Sequence, residues 1–204
     1  MQGYRRVAHY FEPSPGVTSD EATVAMAVPG ASFTLRTDRG VFSHGRLDTG
    51  TAVLLRSPRP LPSTGSALDL GCGAGPIAVT MALREPGLQV WAVDVNERAR
   101  ALCAANATAA GAGNVVVAAP DEVPADIAFD AIWSNPPIRI GKDALHELLL
   151  TWLARLAPDG AATLVVQKHL GADSLQRWLT ESGYPTSRAA SAKGYRVLEV
   201  HPSV

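Results

Sequence analysis

The sequence predicts an α/β fold, with a doubly wound and mostly parallel sheet of seven strands that ends in an antiparallel C-terminal hairpin. Short apolar stretches alternate with helical patterns from residue 67 onward, which favours the strand–helix units of a parallel sheet. The stretch 129–134 is largely apolar, as expected of a strand buried on both faces. A glycine-rich segment, 71–75, separates the first of these strands from a helix, which predicts a ligand site at that end of the sheet.

Composition divides the chain into an arm, a small accessory layer and one main domain. Residues 1–20 are polar and interrupted by prolines, and they are predicted to be a loosely ordered arm. Residues 21–60 are predicted to form the accessory layer and residues 61–204 the main domain, with the boundary in the proline-rich connection 57–66. A chain of 204 residues with 47% hydrophobic content is long enough for one sizeable core.

The accessory layer is predicted to contain a β-hairpin and a short helix. Weak alternation in 23–28 and 32–36, around the turn residues Pro29-Gly30, indicates the hairpin. Asp48 is a typical N-cap residue for a helix over 49–56, which the following prolines would end.

The main domain is predicted to alternate between strands and helices until its last two strands. The strands are expected at 67–70, 88–95, 114–118, 129–134 and 161–166. The helices are expected at 76–84, 97–110 after an Asn96 cap, 143–156 and 174–181. A final hairpin is expected from 186–190 and 195–201.

Charge and cysteine content exclude several classes of protein. The net charge of −1 provides no global basic field for nucleic-acid binding, so a polyanionic partner would have to meet a local patch. The two cysteines, Cys72 and Cys103, show no metal-ligand spacing and are interpreted as reduced thiols. No secretory signal and no apolar run of membrane-spanning length is found. A cytoplasmic protein without a metal ion is therefore expected, and the oligomeric state stays open between monomer and homodimer.

The segment Asp69-Leu70-Gly71-Cys72-Gly73-Ala74-Gly75 predicts a nucleotide-cofactor pocket. Glycines at 71, 73 and 75 let the strand turn sharply into a helix and let a ligand approach bare backbone, including that of Cys72. A carboxylate at Asp69 would repel a pyrophosphate but suits a cationic ligand group, such as the methionine end of S-adenosylmethionine. An NAD site is the alternative interpretation of the turn.

Acidic residues after the next two strands are candidates for further cofactor contacts. Asp94, with Val95 beside it, follows the second strand at the spacing of a residue that binds ribose hydroxyls. The alternative is that Asp94 only caps the helix that follows. Asp121 lies after the third strand and is a candidate for the adenine amino group, although a solvated loop acid is as good an interpretation. Asn106 is a candidate brace for the glycine turn, with core or surface roles equally open.

The segment Asn135-Pro136-Pro137-Ile138 predicts the catalytic site, because it follows a buried strand at the edge where such sheets bind ligands. The lone pair of an aromatic amine is delocalised into its ring, which makes the nitrogen a poor nucleophile. If Asn135 Oδ1 and the Pro136 carbonyl accept its two N–H bonds, the nitrogen is drawn toward tetrahedral geometry. The prolines hold that carbonyl in a fixed direction, so no general base is required for the attack. Alone, this segment is a common turn.

Residues 33–202 resemble the methyltransferase small domain, the catalytic unit of ribosomal RNA guanine-N2 methyltransferases of the RsmC/RlmG type. The matching segments are Gly40-Val41-Phe42-Ser43, Leu47-Asp48-Thr49-Gly50-Thr51, Leu68-Asp69-Leu70-Gly71-Cys72-Gly73-Ala74-Gly75, Val93-Asp94-Val95-Asn96, Asn135-Pro136-Pro137-Ile138 and Lys193-Gly194-Tyr195. The resemblance implies a Rossmann-like class I fold, S-adenosylmethionine as cofactor and S-adenosylhomocysteine as product. Ribosomal RNA or the small ribosomal subunit is the implied partner.

By the same resemblance, Asp69, Gly71 and Gly73 bind the cofactor, Asp94 binds ribose, and Asn135 with Pro136 orients the amine. The segment 42–51, including Phe42, is implied to fold over cofactor and substrate. The chain departs from the two-domain members, which carry a degenerate methyltransferase domain upstream. It also has Ile138 where many amino-methyltransferases have an aromatic residue that stacks on a flipped base, which disfavours adenine as the acceptor.

Basic residues in the accessory layer and at the carboxyl ends of two strands are candidates for RNA phosphates, with ordinary surface charge as the alternative. They are Arg36, Arg39, His44 and Arg46 in the accessory layer, Arg139 and Lys142 after the Asn-Pro-Pro-Ile segment, and Lys168 and His169 after a later strand. Phe129 and Trp133 are interpreted as core residues. His9-Tyr10-Phe11 in the arm is either a cover for the site or a free tail.

Three functions remain open on the sequence. The first is methylation of guanine N2 in ribosomal RNA. The second is the same chemistry on a protein glutamine amide or a small amine, which near-neutral charge favours. The third is a non-catalytic binding module, which the intact Asp69, Asp94 and Asn135 argue against.

Overall fold

The computed structural model of the chain describes residues 20–39, 41, 45–57 and 60–203. Nine strands lie at β1 Ala22–Val28, β2 Ala31–Thr37, β3 Gly65–Leu70, β4 Leu88–Val93, β5 Val115–Ala118, β6 Phe129–Ser134, β7 Leu156–Gln167, β8 Thr186–Ala192 and β9 Tyr195–Val200 in these ranges. Five α-helices within the same ranges are α1 Thr49–Leu54, α2 Pro76–Arg84, α3 Glu97–Ala109, α4 Lys142–Leu153 and α5 Ala172–Glu181. Single 3-10 turns follow three strands, at Pro120–Glu122, Ile138–Ile140 and Lys168–Leu170.

Strands β3 to β9 form one seven-stranded sheet in the order β5-β4-β3-β6-β7-β9-β8. Strand β9 is antiparallel to both of its neighbours, and the other pairs in the sheet are parallel. The order reverses between β3 and β6, so the loops after these strands flank a topological switch point, where open α/β sheets bind ligands. The predicted doubly wound sheet with a C-terminal hairpin is confirmed.

Two apolar cores cover the faces of the sheet. One core joins the sheet to α2 and α3 and also contains Met26 and Leu35 of the β1–β2 hairpin. The other core lies against α4 and α5 and contains Phe129. Trp133 belongs to the first core and is 1% exposed, so the interpretation of both aromatics as core residues is confirmed.

Polar contacts fasten the hairpin to the helices beneath it. The Nε of Arg98 in α3 donates at 2.9 Å to Oδ2 of Asp38, the residue directly after β2. The side chain of Asn106 accepts from the backbone N–H of Arg36 at 2.9 Å and donates to the carbonyl of the same residue at 2.9 Å. The accessory hairpin is thus held at α3 by an ion pair and by a paired carboxamide.

Strand β7 begins earlier than the sequence predicts, and α4 ends earlier. The prediction of a helix to 156 followed by a turn at 158–160 is wrong, because α4 ends at Leu153 and Leu156 already pairs with Phe129. The turn residues form an irregularity inside β7, where the register shifts. A Cβ on Gly160 would lie 2.6 Å from the carbonyl oxygen of Phe129, so glycine is what lets the two backbones meet there.

The other boundaries agree closely with the predictions. Helix α2 spans Pro76–Arg84 and strand β6 spans Phe129–Ser134, as predicted. Strand β4 ends at Val93, two residues before the predicted end. No helix in the described ranges is long and apolar enough to cross a membrane. The predicted arm 1–20 and the segment 42–44 lie outside those ranges, apart from Asp20.

Candidate active site

The glycine turn between β3 and α2 presents an open face on one side and a packed face on the other. Gly71, Gly73 and Gly75 all have positive φ, at 77°, 54° and 87°. Among the described residues, a Cβ on Gly71 would meet nothing within 4 Å, and one on Gly73 would meet only Val41 at 4.0 Å. A Cβ on Gly75 would lie 2.6 Å from the sulfur of Cys103 in α3. The first two glycines therefore leave room for a ligand, and the third allows helix packing.

Cys72 holds this turn with each of its polar groups. Its N–H donates to the Val93 carbonyl at 3.0 Å, and its carbonyl accepts from the N–H of Gly75 at 2.8 Å. The buried thiol forms no disulfide and donates to the carbonyl of Gly73 at 3.7 Å. A side-chain hydrogen bond with Cys103, and after it burial, raise the pKa of Cys72 well above its usual range. The side chain of Cys72 thus packs toward α3, and any contribution to cofactor binding comes through the turn that it maintains.

Asp69 lies at the end of β3 and is fully buried. Its Oδ2 accepts from the N–H of Ala78 in α2 at 2.9 Å, and its Oδ1 has no partner within the described part of the chain. Burial raises the pKa of Asp69 from 3.8 to about 8. A buried carboxyl with one oxygen unpaired is suited to a cationic ligand group, which would stabilise its ionised form.

Replacing Asp69 with Asn is expected to remove a pH dependence of stability. Because the pKa is about 8 in the folded protein and 3.8 when unfolded, Asp69 ionises in the unfolded chain first, and the free energy of unfolding falls as pH rises between these values. Thermal unfolding of the ligand-free protein between pH 4 and pH 9 measures this. The wild type should lose stability over that range relative to Asp69→Asn; parallel curves would contradict the shifted pKa.

Asp94 links the glycine turn to the start of α3. Its Oδ2 accepts from the N–H of Gly73 at 2.9 Å, and its Oδ1 accepts from the N–H of Asn96 at 2.9 Å. Asn96 itself is the N-cap of α3, so the interpretation of Asp94 as the cap of that helix is wrong. Val95 leaves an apolar side chain 43% exposed beside this carboxylate. A half-buried carboxylate with further lone pairs, next to an exposed apolar surface, suits a ribose and an aromatic base.

Two further polar candidates, Asp121 and Asn106, lie in different parts of the site. Asp121 is exposed in the 3-10 turn that follows β5. This turn lies near Asp94, because the N–H of Asp94 donates to the carbonyl of Ala118, the last residue of β5, at 3.4 Å. It lies where the sequence predicts an adenine contact, and that role stays a prediction. Asn106 is buried and donates to the carbonyl of Ala74 at 2.8 Å, so it does brace the glycine turn.

The catalytic candidate Asn135 follows β6 directly and is held by two residues of the accessory layer. Its Nδ2 donates to Asp48 Oδ2 at 2.8 Å and to Thr51 Oγ1 at 3.1 Å. A carboxylate only accepts hydrogen bonds, so the carboxamide atom beside Asp48 must be the nitrogen. Asn135 Oδ1 therefore faces away from Asp48, and within the described ranges no group donates to it. This contact joins two residues that are 87 positions apart in the sequence. It fixes Asn135 Oδ1 as a hydrogen-bond acceptor at the carboxyl edge of the sheet, the catalytic edge.

The prolines after Asn135 fix a second acceptor. The N–H of Ile138 donates to the Pro136 carbonyl at 2.8 Å, and Pro137 has φ −75° and ψ 74°, the geometry of an inverse γ-turn. The carbonyl keeps a second lone pair, since one oxygen can accept two hydrogen bonds. Ile138 is half-buried against the core beside α4 and provides no stacking platform. The segment thus presents two oriented oxygen acceptors.

Tyr195 completes this region from the far end of the sequence. A Cβ on Gly50 would lie 2.7 Å from the Tyr195 ring and 3.0 Å from Asp48 Oδ2, so the ring packs directly on that glycine. Burial, and after it the charge of Asp48, raise the pKa of Tyr195. The sequence identifies Asp48 as an N-cap, and the family resemblance implies only that the whole segment 42–51, with Asp48 and Thr51, folds over cofactor and substrate; neither Thr51 nor Tyr195 receives a role of its own. The only signal for these residues was that all three fall in family-matching segments.

Of the predicted substrate contacts, Arg139 and Lys142 follow β6 and Lys168 follows β7, whereas Arg46 lies in the accessory layer before α1. Arg46, Arg139, Lys142 and Lys168 are exposed, whereas Phe42 and His44 lie outside the described residues. Two accessory-layer candidates are already paired: Arg36 with Glu21 at 2.7 Å and Arg39 with Asp20 at 2.9 Å.

The strand order, the glycine turn and the carboxylates after β3 and β4 define a Rossmann-like methyltransferase fold. Residues 32–199 match the model of the methyltransferase small domain. The chain belongs to this family, which confirms the predicted family.

Similar proteins include a chain of about the same length and longer chains. The chain is 34% identical over 194 residues to the uncharacterized protein YbxB of Bacillus subtilis and covers 96% of it. It is 34% identical over 149 residues to ribosomal RNA small subunit methyltransferase C of Shewanella amazonensis, matching 71% of this chain and 43% of that protein. It thus spans less than half of that relative.

The fold is also similar to a solved methyltransferase. The structure of the T. thermophilus 16S rRNA N2 G1207 methyltransferase (RsmC), in complex with AdoMet and guanosine, matches with a TM-score of 0.73 and 22% identity. The match covers 93% of this chain and 52% of that one. At this identity the likeness supports the fold.

Proposed function

We propose that this chain is an S-adenosylmethionine-dependent N-methyltransferase that methylates guanine N2 of ribosomal RNA. The observation that carries the proposal is the fixed carboxamide of Asn135, whose nitrogen is bound by Asp48 and Thr51 and whose oxygen is left as an acceptor. The name of the Shewanella amazonensis relative supports ribosomal RNA as the substrate class. The guanosine in the T. thermophilus complex supports the base.

In the proposed reaction, Asn135 Oδ1 and the Pro136 carbonyl accept the two N–H bonds of the target amine. These contacts draw the nitrogen out of conjugation with its ring, so its lone pair becomes available for attack. The cofactor supplies an electrophilic methyl group on its sulfonium. Both acceptors are fixed before substrate arrives, Asn135 by Asp48 and Pro136 by the γ-turn, so little reorganisation is needed.

The cofactor is proposed to bind at the glycine turn beside this edge. Gly71 and Gly73 provide the open backbone face, and Asp94 provides acceptors for ribose hydroxyls. Asp69, with its unpaired Oδ1, lies behind the turn as the acidic partner of the positively charged end. Asp121 remains the proposed contact of the adenine amino group.

Shortening Asp48 to Ser is expected to lower methyl transfer while leaving the fold intact. Ser is as good an N-cap as Asp for α1, but its hydroxyl is too short to reach Asn135. The carboxamide would then be held by Thr51 alone, and we expect kcat to fall by about tenfold, with little change in cofactor affinity. Steady-state kinetics together with thermal unfolding measure both properties.

Thr51 offers a matched pair of variants for the same test. Thr51→Val removes the hydroxyl at constant shape, and Thr51→Ser keeps it. Transfer should fall with Val and be retained with Ser, because only Ser can accept from Asn135 Nδ2. Equal loss in both variants would instead assign Thr51 a packing role.

The proposed partner is ribosomal RNA, free or within the small ribosomal subunit, and the proposed location is the cytoplasm. The test is incubation with radiolabelled S-adenosylmethionine and separate fractions of RNA, ribosomal subunits and protein from a deletion strain. Digestion of the labelled RNA to nucleosides should yield N2-methylguanosine. Label in a protein fraction or a small amine would overturn the RNA proposal and assign the same chemistry to a glutamine amide or a metabolite.

A further inference from the structure

The lysines of this chain are few and lie together at one edge of the sheet. The sequence contains 15 arginines but only three lysines, Lys142, Lys168 and Lys193. Lys142 begins α4 after the Asn135 segment, Lys168 follows β7 directly, and Lys193 lies in the turn between β8 and β9. Because β9 is antiparallel to β7, that turn lies at the carboxyl end of β7. All three lysines therefore lie at the catalytic edge.

The lysines also differ from most arginines in their contacts. Several arginines are engaged within the protein: Arg84 and Arg155 bond to backbone carbonyls and lie over aromatic rings, and Arg98 pairs with Asp38. The three lysine side chains are exposed and make no hydrogen bond or ion pair with any described residue. Their charges are thus available to a partner.

Lys193 occupies a backbone conformation that lysine seldom adopts. Its φ is 50°, and Gly194 after it has φ 81°, the two positive values of a type I′ hairpin turn. Asn or Gly would adopt this conformation at lower cost. A lysine there is exposed at the tip of the hairpin, and the strain of its backbone points to a role for its charge.

The hairpin tip is connected to the catalytic residues through contacts already described. The N–H of Lys168 donates to the Gly194 carbonyl at 2.8 Å, which places the two lysine-bearing loops side by side. Tyr195, the residue after Gly194, packs on Gly50 beside Asp48, and Asp48 binds Asn135. The charged loops are therefore neighbours of the fixed acceptor.

We propose that Lys193 and Lys168, with Lys142 beside them, bind the RNA phosphates that flank the target nucleotide. This deepens the proposed function and rests on it. The carboxylate of Asp173, at the start of α5, is paired with Arg196 at 3.1 Å rather than with one of the lysines. Lysine is a compact point charge suited to phosphate. A local cluster of such charges binds phosphates even though the net charge of the chain is −1.

Lysine acylation provides a direct readout without activity. The protein would be treated with an amine-acylating reagent alone, with protein-free 16S ribosomal RNA transcribed in vitro, or with polyglutamate at equal charge. Mass spectrometry then gives the acylation rate at each lysine. RNA should slow acylation at all three positions by about fivefold or more, and polyglutamate should not. Equal protection by polyglutamate would overturn phosphate recognition in favour of an acidic protein partner.

Substitution at the hairpin tip separates charge from structure. Lys193→Asn relieves the backbone strain, so the fold should be at least as stable, but it should weaken RNA binding by severalfold. Lys193→Glu should weaken binding further and lower the salt slope of log affinity by about 1. The matched control is Arg177→Glu on the exposed face of α5, which should bind RNA as the wild type does.

The outcomes distinguish this inference from the proposed function. The wild type could form N2-methylguanosine in RNA while the Lys193 variants bind RNA with unchanged affinity and salt slope. In that case the proposed binding of phosphates by the lysines is wrong, and the proposed methylation of guanine N2 is unaffected. If the wild type transfers methyl groups only to protein or to a small amine, both are overturned.

Discussion

Replacing Asn135 with Ala is expected to lower methyl transfer by about 100-fold to 1,000-fold, the usual loss when a preorganised polar contact to the reacting group is removed. The variant loses the oxygen that accepts from the target amine, while the glycine turn, Asp69 and Asp94 are untouched. Cofactor affinity should therefore stay close to that of the wild type. Single-turnover transfer and calorimetric titration of the cofactor measure the two properties separately.

Asn114→Ala is the matched control for the loss of a carboxamide. Asn114 Nδ2 donates to the carbonyl of Leu88 at 2.8 Å and lies far from Asn135 in the fold, before β5. Its loss should cost about 1–3 kcal/mol of stability because the carbonyl of the buried Leu88 loses its side-chain partner, but should spare transfer at low temperature. Comparable transfer rates in Asn135→Ala and the wild type would exclude the proposed mechanism.

Gly75→Ala is expected to destabilise the protein by about 2–5 kcal/mol. The new methyl group would lie 2.6 Å from the sulfur of Cys103 and 3.4 Å from its Cα, so α3 would have to move. The positive φ of 87° adds a backbone cost of about 1–2 kcal/mol, and overpacking adds about 1–3 kcal/mol. Denaturant unfolding of the ligand-free protein measures the sum.

Gly111→Ala separates these two costs. Gly111 also has a positive φ, of 72°, but a Cβ there would have no described neighbour within 4 Å. We expect this variant to lose only the backbone term, about 1–2 kcal/mol. If the free energy of unfolding fell by the same amount in both variants, the close packing between the glycine turn and α3 would contribute nothing to stability.

Local sequence signals predict this fold well where they act over short distances. Helix α2 begins at a proline and strand β6 is bounded by its own apolar pattern, so both were placed correctly. The boundary between α4 and β7 was misplaced, because Pro158-Asp159-Gly160 has the composition of a turn. Its place within a strand depends on the pairing of Leu156 with Phe129, which is a long-range contact.

The candidate site was predicted as separate parts rather than as an arrangement. The glycine turn and Asn135 were each recognisable, because their chemistry depends on neighbours in sequence. The bond between Asp48 and Asn135 was not, since no local pattern indicates which distant carboxylate holds a carboxamide. Lys193 is placed by the sequence in the turn of the final hairpin and in a family-matching segment, but its positive φ is a property of the folded hairpin and is not predicted.

One oxygen of Asp48 serves two purposes, and this has a consequence for protein engineering. Oδ2 accepts from the N–H of Thr51 at 2.9 Å, which caps α1, and from Asn135 Nδ2 at 2.8 Å. A transplant or fusion that kept only the Rossmann-like portion from β3 onward would retain the cofactor turn but release the carboxamide. A designer who wishes to move this chemistry to another scaffold must therefore cut upstream of Asp48 and carry α1 along.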